Sequence, residues 1–122
     1  MRDYYSAMFA MTSEQLEVIL PDVVTRLRAE FGVCSIYLFG SRASGAASPE
    51  SDLDLLVVLA GDASAGGASN TDLASRAYAA LRSVRAPKDI LVYTAAQFAE
   101  RSAWRGSFES GVAKRGRLLH AA

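Results

Sequence analysis

Two aspartates, Asp52 and Asp54, stand one residue apart at the head of an apolar run that continues to Leu59. If that run is a strand, its period of two puts both carboxylates on one side, about 6.6 Å apart along it, and Leu53, Leu55, Val57 and Leu59 on the other. Like charges so placed repel, and Leu56 and Val58 continue the acidic side as apolar, so a cation between the two acids would relieve them. With no histidine or cysteine nearby, hard oxygen ligands favour Mg²⁺ or Mn²⁺ over zinc. Upstream, residues 33–39 (VCSIYLF) run directly into Gly40-Ser41. A glycine there lets backbone N–H groups approach an anion closely, and Arg42 would add a charge-assisted donor. Each feature alone also has a plain reading: strand-start acids that face water, and an ordinary turn.

These groups need elements to position them. Leu16, Ile19, Leu20, Val23, Val24 and Leu27 keep the rhythm of an amphipathic helix, and Pro21 within it predicts a short helix at 13–19 and a second at 21–30, ended by Gly32. Strands are predicted at 33–39 and 53–59, separated by RASGAASPES, with the Gly- and Ser-rich AGDASAGGASN after the second reading as a mobile loop. Residues 71–84 place Leu73, Ala77, Ala80, Leu81 and Val84 on one helical face before Pro87 forces an exit. Residues 89–93 (DILVY) form a third strand, and Thr94 with Gln97 is a capping box that opens a helix toward Trp104. A last helix is predicted at 108–114, ending at Gly116 ahead of Leu118 and Leu119. The order α-β-β-α-β-α, without internal repeats, predicts an α+β fold: a small mixed sheet of about three strands flanked by helices.

Length and composition limit the rest. At 122 residues and 13.0 kDa the chain suits a single domain, 1–122, with residues 1–12 read as a flexible lead. No run approaches the roughly 18 apolar residues of a membrane span, and residues 1–11 lack the long apolar region of a signal peptide. The one cysteine, Cys34, has no internal disulfide partner and reads as packing, so the cytoplasm is the expected compartment. Thirteen basic and thirteen acidic residues give zero net charge, which argues against stable nucleic-acid binding. Residues 14–62 nevertheless hold eight acids against three bases, and 76–117 nine bases against three acids. That division suits a cation site beside a polyanionic ligand, though solvated helix faces explain it equally well.

Gly40-Ser41, ten residues, then Asp52-Leu53-Asp54 match the G-S-x10-D-x-D signature of the polymerase-β-like nucleotidyltransferases. At average residue frequencies the four fixed positions co-occur in such a chain about once in a thousand. The stretch YLFGSRASGAASPESDLDLLVVL resembles the minimal nucleotidyltransferases of that superfamily, Arg42 and Ser51 included. The resemblance implies the nucleotidyltransferase fold, with Asp52 and Asp54 holding Mg²⁺ on the nucleotide phosphates and Gly40, Ser41 and Arg42 holding the β and γ phosphates. It also implies a third carboxylate on the next strand. Asp89 is the only acid there, although Lys88 stands where the family has an apolar neighbour, and a strand-start acid paired with Lys88 is the other reading. Two metal ions, Mg²⁺ or Mn²⁺, with ATP as substrate would then support an in-line displacement at the α-phosphorus.

With no room for the fingers or thumb that would hold a template, polymerisation is not expected. Minimal chains of this kind resemble the antitoxin half of two-gene systems whose partner is a HEPN-domain ribonuclease toxin. The implied reaction is transfer of AMP from ATP to a tyrosine hydroxyl of that partner. Two rivals remain: a nucleotide-binding module that neutralises a toxin by contact, and a small-molecule nucleotidyltransferase completed by another chain in a homo- or hetero-oligomer. Trp104 reads as a helix anchor or a stacking group. Lys114, Arg115 and Arg117 read as a solvated helix end or as a phosphate or partner patch, and His120 has no role in this chemistry.

Overall fold

A computed structural model describes residues 10–60 and 68–122. The greater part of the lead read at 1–12, and the middle of the predicted mobile loop, lie outside the described residues. Where the lead is described it is pinned: Met11 is buried and its N–H donates to Pro49 C=O at 2.8 Å.

The elements are α1 (Ser13–Phe31), β1 (Cys34–Phe39), α2 (Ser41–Ser44), β2 (Leu53–Leu59), α3 (Asn70–Ala80), β3 (Lys88–Thr94), α4 (Ala95–Ser102), α5 (Phe108–Arg115) and β4 (Arg117–His120). They build one mixed sheet in the order β3-β2-β1-β4. β1 runs antiparallel to both β2 and β4, while β2 and β3 run parallel, joined through α3. A parallel pair needs such a crossover, and an antiparallel pair does not.

Helix α1 corrects the two-helix expectation. It runs unbroken through Pro21, capped by the reciprocal bonds of Thr12 and Gln15. Proline removes one backbone donor and costs about 3 kcal/mol inside a helix. The continuous stripe of Leu16, Leu20, Val23 and Leu27, all buried, outweighs that local cost. The Pro21 carbonyl also accepts from Thr25 Oγ1 at 3.0 Å.

The sheet has four strands rather than about three. The sequence predicts no element after the last helix, where β4 lies. Its extended form comes from pairing with β1, opposite Ile36, Tyr37 and Leu38, across an irregularity between Ile36 and Tyr37. Helix α3 also stops earlier than predicted, at Ala80, and α2 occupies the start of what read as loop.

Strand alternation sorts the core into two layers. Cys34, Ile36 and Leu38, the odd-numbered leucines and Val57 of β2, and Ile90 and Val92 pack against α1 and α3. On the other side Leu56, Val58 and Tyr93 meet Phe98 of α4 and Val112 of α5, with Tyr37, Phe39 and Leu91 beside them. Among the described residues no helix is long and apolar enough to cross a membrane.

Candidate active site

The register brings the acids together. In β2, Asp54 lies opposite Phe39, the last residue of β1, and beside Asp89, the second residue of β3. Its side chain therefore shares a face with Leu56, Val58, Leu91 and Tyr93, at the sheet end where β1 stops and β2 and β3 begin. Asp54 is half-buried, whereas Asp52, just ahead of the strand, and Asp89 are exposed.

Gly40 is laid against this carboxylate. Its φ is +73°, a region L side chains rarely adopt, and a Cβ built on it would run into the Asp54 side chain, 3.2 Å from Cγ. The turn that follows β1 therefore passes directly over the acid. Ser41 opens the single turn of α2, where the first backbone N–H groups have no intrahelical acceptor. The Gly40 carbonyl accepts from Ala43 and Ser44 N–H at 3.1 Å each, fixing the turn.

Burial, and then the charges of Asp52 and Asp89, push the Asp54 carboxyl above its ordinary value. No described group donates a hydrogen bond to Asp52 or Asp54. A half-buried carboxylate facing two others without donors is a site for positive charge. The donor set is all oxygen and fits a hard divalent cation such as Mg²⁺. Among the described residues, no three acidic, histidine or cysteine side chains stand close enough to hold an ion as they are.

Asp89 is not paired with Lys88. Lys88 Nζ donates to the carbonyls of Val84 (2.8 Å) and Ala86 (3.1 Å), and burial lowers its pKa. Asp89 Oδ1 instead accepts from the Tyr78 hydroxyl at 3.4 Å, and the same hydroxyl accepts the Ile90 N–H at 3.0 Å. Tyr78 thus ties α3 to the head of β3 and holds the acid's neighbour. Sequence reading missed this residue, since nothing in its spacing marks it.

Arg42 takes a different place from the one its position suggests. Its guanidinium donates to the carbonyls of Met11 (3.0 Å), Pro49 (3.2 Å) and Ser51 (3.1 Å). In this arrangement it staples the segment before α1 and the β1–β2 connection, and so sets the approach of Asp52. Carbonyl partners leave no imprint on sequence.

An α+β sheet with two acids at the head of one strand, a third beside them, and a Gly-Ser turn over the middle one defines a nucleotidyltransferase fold. The nucleotidyltransferase domain family matches residues 20–116, a span that holds all five of these residues, and the chain belongs to that family. Its general chemistry is nucleotidyl transfer. Among solved structures it is similar to a protein from Sulfolobus solfataricus provisionally described as a nucleotidyltransferase, at 21% identity and a TM-score of 0.58. That alignment covers 96% of this chain and 87% of the other, and it shows a shared fold. No curated protein matches.

Proposed function

We propose that this chain is a Mg²⁺-dependent nucleotidyltransferase that moves AMP from ATP to a tyrosine hydroxyl of a partner protein, serving as the antitoxin of a HEPN-type ribonuclease toxin in the cytoplasm. The observation that carries the transferase reading is Asp54: half-buried, without donors, between Asp52 and Asp89, and under the Gly40 turn. Resemblance to the minimal nucleotidyltransferases supports the partner. The exposure of Asp52 and Asp89, which leaves the acidic end of the sheet open to a large acceptor, supports a protein target.

In the reaction the acceptor oxygen bonds to the α-phosphorus, the bond from that phosphorus to the bridging oxygen of the β-phosphate breaks, and pyrophosphate leaves. The acceptor's proton passes to Asp89 or to water. Asp52 and Asp54 would hold one Mg²⁺ and Asp89 would share in a second. When bound, the ions supply charge stabilisation of the attacking and leaving oxygens. Gly40 and Ser41 offer backbone N–H groups to the phosphates.

A second reading, neutralisation by contact with the nucleotide site unused for turnover, draws on two observations. The three carboxylates are not gathered around a shared point, and the Arg42 guanidinium is engaged with backbone. The test is incubation with Mg²⁺ and α-phosphate-labelled ATP in an extract of the source cells, beside the Asp52→Ala, Asp54→Ala double variant. Transfer to a protein gives a discrete labelled band that the double variant lacks. A labelled small molecule points to the third class of acceptor. Nucleotide binding without any variant-dependent label favours the contact module.

A further inference from the structure

If the chain binds a nucleoside triphosphate, a side-chain cation on the phosphate chain would favour it, because three carboxylates and a triphosphate together carry more negative charge than two Mg²⁺ neutralise. Two cations near those acids in sequence are engaged elsewhere: Arg42 with three backbone carbonyls and Lys88 with two. Beside the site lies a cleft of about 280 Å³, between the end of β1 and one face of α5, lined by Phe39, Ser107, Phe108, Gly111, Arg115 and Gly116. Phe39 is the residue opposite Asp54 and the one before Gly40, so the cleft adjoins the Gly-Ser turn.

The cleft is built around its arginine. Gly111 lies inside α5, where glycine costs about 1 kcal/mol relative to alanine. A Cβ there would come within 2.5 Å of Arg115 Nη2, the movable end of a side chain that folds back along the helix. Gly116 is the more constrained of the two, since a Cβ on it would meet backbone, 2.6 Å from the Val112 carbonyl oxygen and 3.3 Å from that of Leu38. Arg115 has no hydrogen bond or ion pair to any described residue, unlike Arg26, Arg76 and Arg117, which are each paired with an acid. No carboxylate lines the cleft. The wall opposite is aromatic, with Phe108 edge-on to Phe39 at 5.2 Å and 48% exposed.

We propose that this cleft is the subsite for the β and γ phosphates of the nucleotide, with Arg115 as their cation. The proposal rests on the nucleotidyltransferase reading above and moves the charged phosphate contact from Arg42 to Arg115. A guanidinium is suited to this because its fork matches two phosphate oxygens at once.

The experiment is calorimetric titration of wild-type, Arg115→Ala and Arg115→Lys protein with ATP and with AMP in Mg²⁺, with thermal melts to establish that each variant is folded. Arg115→Ala is expected to weaken ATP binding by at least about tenfold, to leave AMP within twofold, and to be partly rescued by lysine. Unchanged ATP affinity overturns the proposal. Equal weakening of ATP and AMP also overturns it, by placing Arg115 on the nucleoside or α-phosphate. Failure of the wild-type protein to bind ATP removes the nucleotide reading itself, and this subsite with it.

Discussion

The two faces of one sheet do different work with the same strands. Toward α1 and α3 the face is apolar from end to end: Ile36, Leu38, Leu55 and Val57 are fully buried, and Leu53, Ile90 and Val92 nearly so. Toward α4 and α5 the same strands show Tyr37, Phe39, Leu56, Val58, Leu91 and Tyr93, then Asp54 and Asp89 at one end. Two helices of eight residues each stand against this second face. Strand alternation therefore confines the acids to one end of one face and leaves the other face wholly to the core, so Asp54 and its neighbour Leu55 can be changed with limited effect on each other's role.

The sharpest way to break that comparison is to substitute adjacent residues of β2. Asp54→Asn should lower nucleotidyl transfer by about a thousandfold, since metal-assisted charge stabilisation is worth several kcal/mol. It should leave the melting temperature unchanged or higher. The sign follows from the raised Asp54 pKa: the stabilisation linked to a raised carboxyl is present below the unfolded value, about 3.8 here, and lost as pH rises through the folded one. At neutral pH the charged group opposes folding. Leu55→Ala should do the reverse, costing 2–5 kcal/mol (order of magnitude) in denaturant unfolding while keeping transfer where the protein remains folded. Loss of stability in the first, or of transfer alone in the second, would show that the faces are not independent.

A smaller effect is expected at Tyr78, which belongs to a helix of the apolar side but reaches the acidic end. Tyr78→Phe removes the acceptor of the Ile90 N–H and the donor to Asp89. Stability should fall by about 1 kcal/mol, with faster amide exchange at Ile90 and weaker second-ion dependence of transfer. Unaltered exchange at Ile90 would remove the bridge between the faces.

The smallest effect is in pH. Protons compete with Mg²⁺ for Asp54, so Mg²⁺ affinity should fall on acidification with a midpoint above 3.8. In Asp52→Asn that midpoint should move down, because one of the two repelling charges is gone. An unmoved midpoint would leave burial and the Asp89 charge as the causes of the raised value.

What could be read in the sequence follows the same physics. β2 has its predicted bounds because a run of seven residues, apolar but for Asp54, needs no partner to be recognised, and α4 begins just after the predicted cap of Thr94 and Gln97. Asp52 and Asp54 were legible because their spacing is itself geometric information. Pro21 misled because a local rule was applied where a helix-long apolar stripe decides. β4 was invisible because four residues become a strand only when β1 is beside them. The partners of Arg42 and Tyr78 are backbone groups, which every residue carries and no sequence pattern announces.

The contact between Glu17 and Arg117 has a consequence for how the molecule is made. Their two bonds, at 2.6 and 2.8 Å, join residues 100 positions apart, and they sit where α1 meets β4. As an exposed pair they add at most about 1 kcal/mol. During synthesis, however, α1, β1 and β2 emerge well before β4, so β1 waits with one edge unpaired until Arg117–His120 have been translated. An apolar central strand with an open edge is a template for pairing with another chain. Closure of that edge is a long-range, late event of high contact order. Until then the free edge of β1 is open to pairing with another chain, and β4 is what closes it.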